Sequence, residues 1–163
     1  MDHAAPAVFQ ALEASGFAAG IRQSIWLYPL ANVGHVVAVV TFFAAVAVMD
    51  LRLLGAFSAT APGVVIRNAR RVAVAAFAGV ALTGSMLFAA EASHLALNPV
   101  FLTKVTLILL GLANVLLFEF CVGRRAAEFP ANTPLPAVAR ISATASLALW
   151  LAVVACGRSI AYF

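Results

Sequence analysis

The sequence predicts an all-α fold: a four-transmembrane-helix bundle preceded by an N-terminal interfacial amphipathic helix. Three observations predict it. Of 163 residues, 64% are apolar and 10% charged, against roughly a quarter charged in soluble chains. Four apolar runs, each about the 20 residues that cross a hydrocarbon core, use up most of the chain. The basic residues gather near the ends of those runs. Such a chain is expected to form a single integral membrane domain over 1–163, with no room for a separate soluble catalytic module.

The elements follow in order. Over about 7–25, Val8, Phe9, Leu12, Phe17 and Ile21 recur near one side while Gln10, Glu13 and Arg22 stay polar. That spacing predicts a short helix lying flat at the interface, interrupted near Gly16. Trp26 and Tyr28 mark the headgroup level and Pro29 suits a first turn, so the first span covers about 28–50. Pro62 and Gly63 read as helix breakers, and Arg67, Arg70 and Arg71 introduce a second span over about 70–92. Its Ala75, Gly79 and Thr83 recur every fourth residue and permit close helix approach. The short loop "EASHLALNP" returns the chain as a third span over about 100–122, and the Pro-rich "EFPANTPLPA" leads to a fourth over about 138–157.

Charge sets the orientation. Arg52, Arg67, Arg70, Arg71, Arg124, Arg125 and Arg140 flank the first and third connections, against Arg22, Lys104 and Arg158 near the other face. Seven against three places those connections in the cytoplasm, and both termini on the outer, periplasmic side of a bacterial inner membrane. The start "MDHAAPAVFQ" carries no basic region and no cleavage pattern, so insertion is expected to rest on the first span. The net charge of +4 is dispersed among loop ends, which argues against nucleic acid. No GxSxG, HExxH, Walker-type or GxGxxG stretch is present, so hydrolase, nucleotidase and nicotinamide chemistry lack an anchor. Cys121 and Cys156 fall near opposite faces, too far apart to bridge. No span is broken in the manner of a transporter.

An ionisable group inside a span is expensive and marks function by default. Counting about 1.5 Å per residue, His35 lies about 10 Å from the outer face, Lys104 about 6 to 8 Å and the Thr83–Gly84 pair about 12 Å. They share one layer, with Asn32, Glu91, His94 and Arg158 above it. His35 is the candidate metal ligand, either as an axial ligand of haem b with His94 as a second, or as a neutral imidazole bonded to Thr83, Asn32 or a backbone carbonyl. Proton relay, quinone contact and copper are further alternatives, copper ranking below haem because His3, His35, His94, Met49 and Met86 are scattered. Lys104 either snorkels outward or meets Glu91, a propionate or another anion. At the inner face Asp50, Arg52 and Glu119 are expected to close the rim by local pairing, Glu119 with Arg52 or a proton. Asn114 is expected to bond across helices.

The set "WLYPLANVGHVVAVVTFFAAVAVMDLRLLG", "ALTGSMLFA", "NPVFLTKVTLILLGLANVLLFE" and "WLAVVACGRSIAYF" resembles an uncharacterised bacterial family of small four-helix inner-membrane proteins over nearly the whole chain. The resemblance implies that His35, Asp50, Arg52, Thr83, Gly84, Lys104, Asn114, Cys156, Gly157 and Arg158 belong to the family pattern. Where that pattern carries histidine after NxxxF, this chain has Glu119. More distantly, a histidine in the first span and a lysine early in the third resemble the haem-binding membrane proteins of the copper-resistance D type and the membrane protoporphyrinogen oxidase type. This analogy implies haem at the level of fold alone.

These readings converge on a small membrane subunit, b-type cytochrome-like or a redox-partner anchor, with His35 and His94 toward iron and Lys104 and Arg158 toward propionates or an acidic partner. The rival from another class is a cofactor-free structural subunit of a larger membrane complex or homo-oligomer.

Overall fold

The structure is a computed structural model that describes residues 4–123 and 128–162. His3, Arg124 and Arg125 lie outside the described residues. The all-α expectation holds: the described residues form helices without strands. They run α1 (Ala7–Glu13), α2 (Gly16–Gln23), α3 (Leu27–Leu54), α4 (Pro62–Ala90), α5 (Ala92–Leu97), α6 (Pro99–Phe118) and α7 (Ala137–Ser159). A wide π-helical turn, Glu119–Gly123, extends α6, and a 3-10 turn, Ile160–Tyr162, extends α7.

Four helices are long and apolar enough to cross a membrane: Leu27–Leu54, Pro62–Ala90, Pro99–Gly123 and Ala137–Tyr162. Their surfaces carry large apolar side chains, among them Val33, Val40, Leu82, Leu109, Ile141 and Leu151. A bilayer is the solvent such surfaces need. Because lipid tails are as apolar as leucine, burial alone does not drive these helices together, and contact depends on small residues and cross-helix hydrogen bonds. The tightly packed positions fit this: Ala31, Ala45, Ala73, Ala139 and Ala143 are buried, and the Asn114 amide donates to Ser142 O while the Ser142 hydroxyl donates to Asn114 Oδ1, both at 3.1 Å.

The helices pack α4 on α3, α3 on α7 and α7 on α6. Among the described residues α4 and α6 share no broad interface and meet at two places near their ends. Phe88 stacks on Phe101 with centroids 5.3 Å apart at one end, and Arg70 pairs with Glu119 at the other. The first is the capped end, because α1 and α2 fold across it; the second, rich in arginine, is the basic end.

The α4 start differs from the expected one. Pro62 occupies its first turn, where a missing N–H costs nothing, so the proline initiates the helix and Arg67, Arg70 and Arg71 lie inside it. The amphipathic segment is two helices, with the Ser15 hydroxyl accepting from Ala18 N at the start of the second. That break rotates the apolar stripe: Phe9, Leu12 and Ile21 turn toward the bundle, while Val8 and Phe17 stay exposed. Phe9 meets Phe88 edge to face at 5.8 Å. Arg22 donates to Ala90 O and to Glu13 O, each at 2.9 Å, and Glu13 accepts from Ser93 N at 2.8 Å. Those hydrogen bonds from Ser93, then the nearby positive charges of Arg22 and His94, hold the Glu13 carboxyl below its ordinary range.

Candidate functional site

His35 sits on the face of α3 that meets α4. Gly84 makes room for it: a Cβ there would lie 3.1 Å from the imidazole Cε1, closer than ordinary contact. Gly79 meets Ala38 in the same seam, one turn deeper. The imidazole Nδ1 is 2.9 Å from Thr83 Oγ1. That hydroxyl has one proton, and it points to Gly79 O at 2.6 Å. Thr83 therefore accepts from the ring, Nδ1 carries the hydrogen, and Nε2 keeps its lone pair. A histidine whose second nitrogen is fixed in this way is set up to ligate a metal.

His35 lines a cavity of about 320 Å³ shared with Lys104 and Arg158 and walled by Val36, Val40, Phe43 and Val153. Lys104, partly buried, lies with its ammonium against α7, where a Cβ on Gly157 would sit 3.6 Å from Nζ. Arg158 stacks over the Tyr162 ring, 4.6 Å from its centroid, and donates to the Tyr162 hydroxyl. Of the expected layer, His35 and Lys104 line one space, while Thr83 and Gly84 lie against the imidazole from α4. His94 is not brought there: it is exposed on α5, beside Glu13. Asn32 is exposed, and Glu91 accepts from the Tyr28 hydroxyl at 2.7 Å. Among the described residues no three His, Cys, Asp or Glu side chains converge on one point.

The polar residues at the basic end take partners other than those expected. Arg52, 1% exposed, donates through Nε and Nη2 to Thr60 O at 3.0 and 2.9 Å and so ties the loop after α3 to its own helix. Asp50, two residues earlier, projects well away from it, because positions two apart on a helix do not share a face. Glu119 takes two hydrogen bonds from Arg70, at 3.2 and 2.7 Å. Asp50 is instead buried beside Ser146 at the wall of a second cavity of about 490 Å³.

Phe42, Phe77 and Trp150 line both cavities and separate them. Their ring centroids are 5.4, 4.6 and 6.4 Å apart, inside the range of favourable aromatic pairs. Sequence reasoning missed this cluster and Arg70. One signal was present: Trp150 lies mid-span, away from the headgroup level where tryptophan is enriched, which marks an inward-facing ring.

A helical membrane-spanning protein with one tethered intramembrane histidine and two stacked internal cavities is the class these features define. The chain belongs to a family of unknown function, DUF6644, which it matches over residues 14–163. No curated protein and no solved structure matches it.

Proposed function

We propose that the protein is a small b-type cytochrome-like subunit of a bacterial inner membrane, passing electrons or docking a periplasmic redox partner at its capped face. The observation that carries this reading is the tethered imidazole, with Nδ1 held by Thr83 and the ring lining a cavity that also presents Lys104 and Arg158. The donor set suits haem: His35 would ligate the iron, Lys104 and Arg158 would neutralise the propionates, and the valine and phenylalanine walls would exclude water. When bound, haem would supply one-electron transfer. With His94 elsewhere, His35 is the sole imidazole among the described residues at the cavity, and ligation from those residues would be one-sided. The arginine bias supports placing the basic end in the cytoplasm and the capped end, with both termini, outside.

The test is an absorption spectrum of the protein purified in mild detergent from haem-replete cells. A Soret band that His35→Ala abolishes, with helical content unchanged, is the expected result. A folded but colourless preparation overturns it. The second reading, a cofactor-free structural subunit, is favoured by one observation: the His35–Thr83 bond by itself joins α3 to α4.

A further inference from the structure

We infer that the cavity at the basic end is a binding site for a lipid-soluble phenolic or hydroquinone ring, which enters from the bilayer between α4 and α6. The inference is independent of the haem reading, since it concerns residues on the other side of the aromatic partition.

Three observations carry it. The first is an opening. α4 and α6 are joined by Phe88–Phe101 at one end and by Arg70–Glu119 at the other, and share no broad contact between. Val74, Val115 and Leu116 line the cavity and are 65%, 47% and 58% exposed, so they form the lips of a gap that faces lipid.

The second is unmet hydrogen bonding. Asn114 and Ser142 satisfy each other, as do Arg70 and Glu119. Asp50 and Trp150 do not: they are 6% and 3% exposed, both line the cavity, and Asp50 Oδ2 and Trp150 Nε1 have no partner among the described residues. Buried polar atoms are seldom left in this state. Together they offer one acceptor and one donor, the complement of a ring that carries a hydroxyl and a second oxygen.

The third is the wall. Phe42, Phe77 and Trp150 close the deep side with ring surfaces, and about 490 Å³ lies within the range of small-molecule sites. A flat aromatic ring fits such a wall better than water does. An alkyl tail would leave through the gap into the acyl chains.

The test uses the full-length chain in nanodiscs with Trp26→Phe, which leaves Trp150 as the only tryptophan, and titrates benzohydroquinone bearing a ten-carbon alkyl chain. The titration is run on haem-free and haem-replete preparations alike, so a failure of the haem reading leaves its outcome intact. Saturable quenching of Trp150 is expected. Asp50→Leu should weaken binding by about tenfold, the loss of one hydrogen bond to a carboxyl group. Val74→Phe, which narrows the gap without touching the polar atoms, should weaken it as well. Decylbenzene binding as tightly as the hydroquinone would overturn the inference, because a hole filled by any hydrocarbon needs no Asp50. Linear, unsaturable quenching that both variants leave unchanged would overturn it too.

Discussion

The histidine in the first span could be read two ways from sequence, as a metal ligand or as a bond between helices, and its geometry supports both at once. Thr83 cannot accept from Nδ1 unless its own proton goes elsewhere, and Gly79 O takes it. The tautomer is thus set by a carbonyl one turn away on α4. Thr83→Val keeps the shape and removes the acceptor. Its coupling to His35→Ala, measured by a double-mutant cycle of unfolding in mixed micelles, is expected at about 0.6 kcal/mol and at most about 1.7, the range for hydrogen bonds between membrane helices. Under the proposed haem reading, the same substitution should shift the Soret band while leaving the pigment bound, because it would free the ring without removing the ligand. Position and depth of His35, Lys104 and Thr83 were legible because helical rise converts residue count into height. Rotation about the helix axis was not, which is why both readings of Lys104, snorkelling or paired with an anion, stayed open and His94 stood as a second candidate ligand.

At the scale of the element, the spans were legible from apolar length and the ends were not. Pro62 illustrates why: the same residue that breaks a helix interior is tolerated in its first turn, and only the preceding backbone decides which applies. The amphipathic segment was likewise legible as amphipathic and as interrupted near Gly16, while the way the break splits the apolar stripe between protein and surroundings depends on the Ser15 cap. The docking of α1 has a testable pH dependence. Its Glu13 accepts from Ser93 N and its carboxyl is held below the ordinary glutamate value, about 4.3. A depressed carboxyl stabilises the folded arrangement above its unfolded value, and that contribution is lost as pH falls through the folded one. Hydrogen exchange at the Ser93 amide should therefore accelerate, relative to neighbouring amides, as pH drops below about 4. Glu13→Gln should remove that dependence.

For the whole molecule, the order α4–α3–α7–α6 leaves one side of the bundle held at its ends alone. The basic-end tie, Arg70 to Glu119, is 43% and 41% exposed, so solvent screening limits it to about 1 kcal/mol or less. Its role is then to fix spacing more than to add stability. Spin labels at positions 74 and 116 should report a broader distance distribution in Arg70→Ala than in the parent, with thermal stability barely changed. An unchanged distribution would show that α7 alone positions α6. Nothing in the sequence pairs Arg70 with Glu119 rather than Arg52 with it, since three arginines share that stretch of α4 and pairing depends on which face the bundle turns inward.

The ring cluster of Phe42, Phe77 and Trp150 sets a limit on permeation. A file of water from either side would end at three ring surfaces that carry no hydroxyl or carboxyl of their own. Charge that entered one compartment would have to cross that partition of rings to reach the other.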